Sequence, residues 1–232
     1  ATSRSCSRSP VCASRAIGLL ALCTTLLAGA PARSDDGWQP LVTQDGVSVR
    51  ERASPDRALP ELQAEAEIDA GIFEVLAVIT DVPKQTQWLH DCVEARIVRV
   101  DSPDRALIYN RTGESWPISD RDVVLRTEAT LLEPGTHAAV HFTNVEDPAA
   151  PPVEGVVRMP RLTGTYDLIS LSPTRTRVIY GLDADPGGSV PTFATVRFAR
   201  DTPLHTLLGL RKQVLATEGQ YAAFVAQWSA RR

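Results

Sequence analysis

The chain has 232 residues, of which 43% are hydrophobic and 22% charged, with 24 Lys and Arg against 28 Asp and Glu. That is enough apolar material for a domain with its own core. A formal charge of −4 speaks against a nucleic-acid or anionic-membrane footprint, which would need a basic surface.

Arg4, Arg8 and Arg15 precede an apolar run over residues 16–30, which ends in Ala30-Pro31-Ala32. A basic segment, a short apolar core and a small-x-small site make a secretory signal peptide, and about fifteen apolar residues are too few to span a bilayer. The expectation is a signal peptide over 1–32, cleavage after Ala32, and one domain over 33–232 in the periplasm or outside the cell. Lipidation at Cys23 is the weaker reading, because Leu22 stands where a small residue is wanted. Removing three arginines and no acids leaves 21 basic against 28 acidic residues, a charge of −7, and Cys92 as the single thiol.

The pattern then becomes strand-like. Val47 and Val49 alternate with Ser48 and Arg50, and Leu62, Ala64, Ala66 and Ile68 alternate with Gln63, Glu65, Glu67 and Asp69, so each segment has one wet face. Ile72, Val75, Leu76 and Ile79 switch to helical spacing behind Asp69 as N-cap, and a second short helix is predicted over 83–89 behind Asp81. Strands follow over 93–100, 106–112, 123–132, 138–145, 156–171 with an interruption at Pro160, and 177–183. In the stretch ESWPISDRDVVLRT, Trp116-Pro117 and Ser119-Asp120 form a turn into a strand. Its buried face reads Val123, Leu125, Thr127, Ala129 and Leu131. After Pro186-Gly187-Gly188 the period is helical again, capped by Ser189, with Phe193 and Val196 on one face and Leu204, Leu207, Leu208 and Leu215 beyond.

Strands joined by short turns make an antiparallel meander, and its apolar face must be covered. The long amphipathic C-terminal helix is the element available for this. The fold expected is α+β, a curved sheet around that helix with a cavity between them.

Catalytic constellations are scarce. His137 and His141 would lie about 13 Å apart on a strand, too far to share a metal ion. Cys92 follows His90 closely, but Asp91 between them opposes a thiolate. No serine sits in a Gly-x-Ser-x-Gly elbow, and Gly187-Gly188 reads as a tight turn. Glu65 and Glu67 are solvated, and Asp183 and Asp185 flank the turn before the long helix. Asn110-Arg111-Thr112 is a glycosylation sequon. No metal or cofactor site emerges.

The stretches WPISDRDVV, VVRMPRLTGTYDL and VIYGLDADPGGSVPTFATVRFARDTPLHTLLGLRK, in this order and spacing, resemble the START lipid-transfer domain family, here as an exported bacterial member. The resemblance implies a helix-grip fold around a lipid-sized cavity, with no cofactor, no catalysis, and a monomer in transient contact with a membrane. In cholesterol-type members an arginine matches Thr127 and an acid matches Ile108, so that pair is missing here. In ceramide-type members an acid matches Leu89, a glutamine Asn110, an asparagine His141 and a tyrosine Tyr180. The implied ligand-binding set is Trp88, Leu89, Asn110, Thr127, His141 and Tyr180, with Phe193 and Val196 as roof. The ligand is expected to be a phospholipid, a sterol or another single hydrophobic molecule. The alternatives are a helix-grip enzyme of the polyketide cyclase type working through His141 and Tyr180, and a purely structural or partner-binding domain.

Overall fold

The computed structural model describes residues 37–54, 57, 59–114, 118–189 and 191–231, without the side chains of 192–194. The expected signal segment, the Trp116-Pro117 turn and the Phe193 side chain lie outside the described residues.

The chain forms β1 (Trp38–Gln44), β2 (Val47–Arg52), β3 (Glu61–Ile68), α1 (Ile72–Thr80), a 3-10 turn (Val82–Gln87), β4 (Cys92–Ser102), β5 (Arg105–Thr112) and β6 (Arg121–Glu133). It continues through β7 (His137–Asn144), β8 (Val157–Arg158), β9 (Arg161–Ser172), β10 (Arg175–Asp185), α2 (Thr192–Ala216) and α3 (Ala222–Ser229). One sheet runs in the order β1-β2-β3-β10-β9-β7-β6-β5-β4. All its pairings are antiparallel except that of the short β8, which lies parallel to the start of β6.

Alternation sets which face each strand buries. On β3, Leu62, Ala64, Ala66 and Ile68 are each at most 2% exposed. β1 escaped the sequence reading because Pro40 interrupts its pattern; as an edge strand it tolerates the proline and a bulge between Pro40 and Val42. The Asp45-Gly46 pair, with φ of 49° and 74°, closes the β1–β2 hairpin in the two-residue turn that needs positive φ at both positions.

Helix α1 starts at Gly71, two residues beyond the expected Asp69, and the Glu74 carboxylate accepts the Gly71 N–H at 2.9 Å. Helix α2 starts behind Pro191 instead of Ser189 and carries Pro203 within it. Its buried stripe is Ala199, Leu204, Leu207, Leu210 and Val214. The C-terminal stripe is not one continuous helix, because Thr217–Tyr221 turns the chain, with Gly219 at φ 74°. Helix α3 then packs Trp228 on Phe73 of α1, ring centroids 6.5 Å apart.

The opposite face of the sheet is not wholly wet. Val124, which alternation puts on the face opposite Val123 and Leu125, is 0% exposed and joins Leu107, Tyr109 and Ala150 in a second small core.

Candidate functional site

Between the helix-side face of the sheet and the helices lies a cavity of about 270 Å³. Its floor follows from strand alternation: Val123, Leu125, Thr127 and Ala129 from β6, Ile108, Asn110 and Thr112 from β5, and Val140 and Phe142 from β7. Phe198 and Thr202 of α2 and Phe224 and Trp228 of α3 also line it. Ile97 and Val100 of the edge strand β4 border the cavity while 43% and 62% exposed, which marks that side as its mouth.

Close packing opens the space. Gly164 takes no side chain, since a Cβ would lie 2.2 Å from the Gly181 oxygen and 2.4 Å from the Phe142 ring. At Gly209 a Cβ would sit 2.1 Å from the Trp88 carbonyl oxygen, so this glycine lets α2 approach the chain beyond the 3-10 turn.

The polar groups in the lining are mostly engaged. Gln85 donates to the Ile79 carbonyl at 3.2 Å and accepts from the Asn110 amide at 2.9 Å, tying α1, the 3-10 turn and β5 together. The Thr127 hydroxyl donates to the Ala106 carbonyl at 3.2 Å. Tyr166 and Tyr180 stack at 4.5 Å, nearly parallel. Burial pushes both hydroxyls far above the usual phenol range, and the neighbouring Tyr180 adds to the rise at Tyr166. The Cys92 thiol is pushed up to about 11, chiefly by burial, so at neutral pH it is a packed thiol and no nucleophile.

Of the residues singled out from sequence, Leu89, Asn110, Thr127 and Tyr180 line the cavity. The placements of His141, Trp88 and Val196 require correction. His141 lies on the opposite face and is exposed, its Nδ1 2.9 Å from the Thr165 hydroxyl. The reason is strand period: Val140 and Phe142 point in, so His141 between them points out. Trp88 is 4% exposed but belongs to the packed core, edge-on to Tyr166 at 6.3 Å. Val196 is 62% exposed. The cavity-facing residue is Phe198, and two residues along a helix turn the direction by about 200°. Asn110, at 7% exposure, is no accessible glycan acceptor in the folded chain.

Sequence reasoning missed Gln85, Arg121, Tyr166, Phe198 and Thr202, all in the lining. Arg121 was legible, because the alternation through Val123, Leu125 and Thr127 runs back to it.

Comparisons with known proteins agree with this architecture. An uncharacterized protein of Pseudomonas aeruginosa is 28% identical over 176 residues, covering 76% of this chain and 86% of its own. The crystal structure of a StAR-related lipid transfer protein fragment from Xanthomonas axonopodis superposes with a TM-score of 0.71 at 27% identity, over 78% of this chain and 99% of that one. Human START domain-containing protein 10 is 25% identical over 157 residues, 67% of this chain, and this chain spans about half that protein's length, 53%. Its crystal structure superposes with a TM-score of 0.72, over 84% of this chain and 80% of the solved one. A START domain model matches residues 19–207, most of the chain, which therefore belongs to the START domain family.

Proposed function

We propose that the chain is a non-catalytic binding protein that takes up one hydrophobic ligand and transfers it. The observation that carries this reading is the cavity itself. Its walls are apolar side chains from strands and helices, and most of its polar groups bond to one another or to backbone. Such a chamber favours an apolar guest, because burying apolar surface is worth about 25 cal/mol per Å². Kinship with proteins named for lipid transfer supports the same use. Exposed Ile97 and Val100 at the mouth suit brief contact with a membrane from which a ligand is drawn. The signal-like start supports export.

A cyclase-type enzyme would need an acid or base titrating near the working pH inside the chamber. The two groups named for that role do not meet. His141 is outside, and Tyr180 holds its proton through the whole neutral range.

Native mass spectrometry on the exported protein tests both parts of the proposal. The expected species starts near Arg33 and carries one lipid-sized adduct. An empty protein that also takes up no apolar fluorescent probe would overturn the binding function. An acylated chain retaining Cys23 would replace cleavage by membrane anchoring.

A further inference from the structure

Three charged side chains, Asp104, Arg105 and Arg121, line the cavity among the described residues; the first two are substantially exposed, and the buried one is Arg121. It opens β6 and is 5% exposed. Of its five N–H donors, one on Nη1 reaches the Ser119 carbonyl at 2.5 Å, while Nε is buried with no partner. Two nearby acids are occupied elsewhere. Asp122, the next residue, faces away and is held by Arg158 at 2.7 Å; Asp120 pairs with Arg111 at 2.7 Å. Glu114 and Asp120 both feel the field of Arg121, yet among the described residues neither forms an ion pair with it. A buried guanidinium left this way is costly unless something else supplies a counter-charge.

We propose that Arg121 is the seat for an oxyanion head group, and that the ligand is a single-chain amphiphile ending in a carboxylate or phosphate. The inference rests on the hydrophobic-ligand reading above. Guanidinium presents parallel donors that match a carboxylate or phosphate two at a time. Thr112, directly opposite Arg121 in the β5–β6 register, adds a hydroxyl-bearing neighbour to the same end of the cavity. From there the inward positions of β6 become apolar at Val123 and Leu125, and the eight residue steps of strand from Arg121 to Ala129 span about 26 Å. One tail can lie along that track. A cavity of about 270 Å³ falls just below the range of ordinary ligand pockets, roughly 300–1,000 Å³, which suits one chain better than two.

The test uses the full chain and three probes of equal tail length: hexadecanoic acid, its methyl ester and hexadecyl phosphate, each titrated above the pH at which the acid ionises. For the wild type, the acid or the phosphate is expected to bind at least about tenfold tighter than the ester, the size of one charge-assisted hydrogen bond. In Arg121→Gln that ratio should fall close to one, and Arg121→Lys should keep part of it. Whichever of acid and phosphate binds tighter identifies the oxyanion. A wild-type ratio near one overturns the inference and leaves the hydrophobic-ligand reading standing, whatever the variants do. A preference that survives in Arg121→Gln overturns the assignment to this residue. Failure of all three probes to bind overturns the hydrophobic-ligand reading and the inference with it.

Discussion

Asp122 shows how a single charge organises the outer face of the sheet. Its side chain is fully buried, and its two oxygens accept from Arg158 at 2.7 and 3.1 Å and from the Tyr109 hydroxyl at 3.1 Å. Burial, then the charge of Asp122, pushes the Tyr109 hydroxyl up to about 12, so it remains a donor throughout the neutral range. Arg158 also donates to the carbonyls of Ala150 and Pro151. It thereby fastens the segment before β8 over Val124 and Leu107. Arg158→Met leaves a buried carboxylate without its counter-ion and is expected to lower unfolding free energy by on the order of 3 kcal/mol. Arg105 pairs with Glu128 at 2.7 Å, both about half exposed, and Arg105→Met should cost under about 1 kcal/mol. Urea denaturation of the two variants measures the difference, and equal losses would refute the anchoring role. Alternation tells that Arg121 and Asp122 face opposite ways. It cannot tell that Asp122 meets a residue 36 positions later, because that pairing depends on how the chain returns to the sheet.

Elements meet less legibly than they form. The strands from β2 to β10 follow from period two and turn chemistry, and α1 and α2 follow from helical spacing. The rotation of α2 does not, because Val196 and Phe198 are both apolar and only contact with the sheet decides which one turns inward. The junction of α2 with the loop before β4 carries a pair no pattern announces: the rings of His90 and His205 stack 4.9 Å apart. His90 also has Asp91 at 3.2 Å, and Asp201 and Arg197 of α2 act on it. Burial above all, with His205 and Arg197, lowers the pKa of His90 despite the two acids. The folded chain therefore binds the proton more weakly than the unfolded chain. The contribution to stability is complete above the unfolded value near 6.5 and declines as pH falls from there toward the folded pKa. Thermal unfolding should shift to lower temperature between about pH 7.5 and pH 5.5, and His90→Gln should flatten that shift. Superimposable pH profiles for the two proteins would assign the effect to other groups.

At the scale of the whole molecule the container was more legible than its contents. A one-sided antiparallel sheet with a long amphipathic helix has few ways to hide its apolar face, so the grip follows from the pattern. The inward polar set depends on register, on helix rotation and on where a strand begins, and for that reason His141 lies outside the cavity it was expected to line, while Arg121, not singled out from sequence, lies within it. The same closure raises the question of passage. Phe198, Phe224 and Trp228 border the cavity from the helix side and Ile97 and Val100 from the edge strand, so the exit expected for the proposed ligand is a separation of α2 and α3 from that edge. Element motions of this kind run on microsecond or longer timescales. The stacked His90 and His205 bridge the two sides and supply a place to lock them. With Cys6, Cys12 and Cys23 replaced by serine, His90→Cys combined with His205→Cys can be joined by a short reducible bifunctional thiol reagent. Cys92 does not compete, because it is buried and its thiol is pushed up to about 11. Crosslinking should slow exchange of an apolar fluorescent ligand by at least about tenfold, a rise of roughly 1.4 kcal/mol in the barrier. Ligand loaded beforehand should stay bound, and reduction of the crosslink should restore the original rate. An exchange rate unchanged by the crosslink would mean that the ligand passes elsewhere, without movement of α2 against the loop before β4.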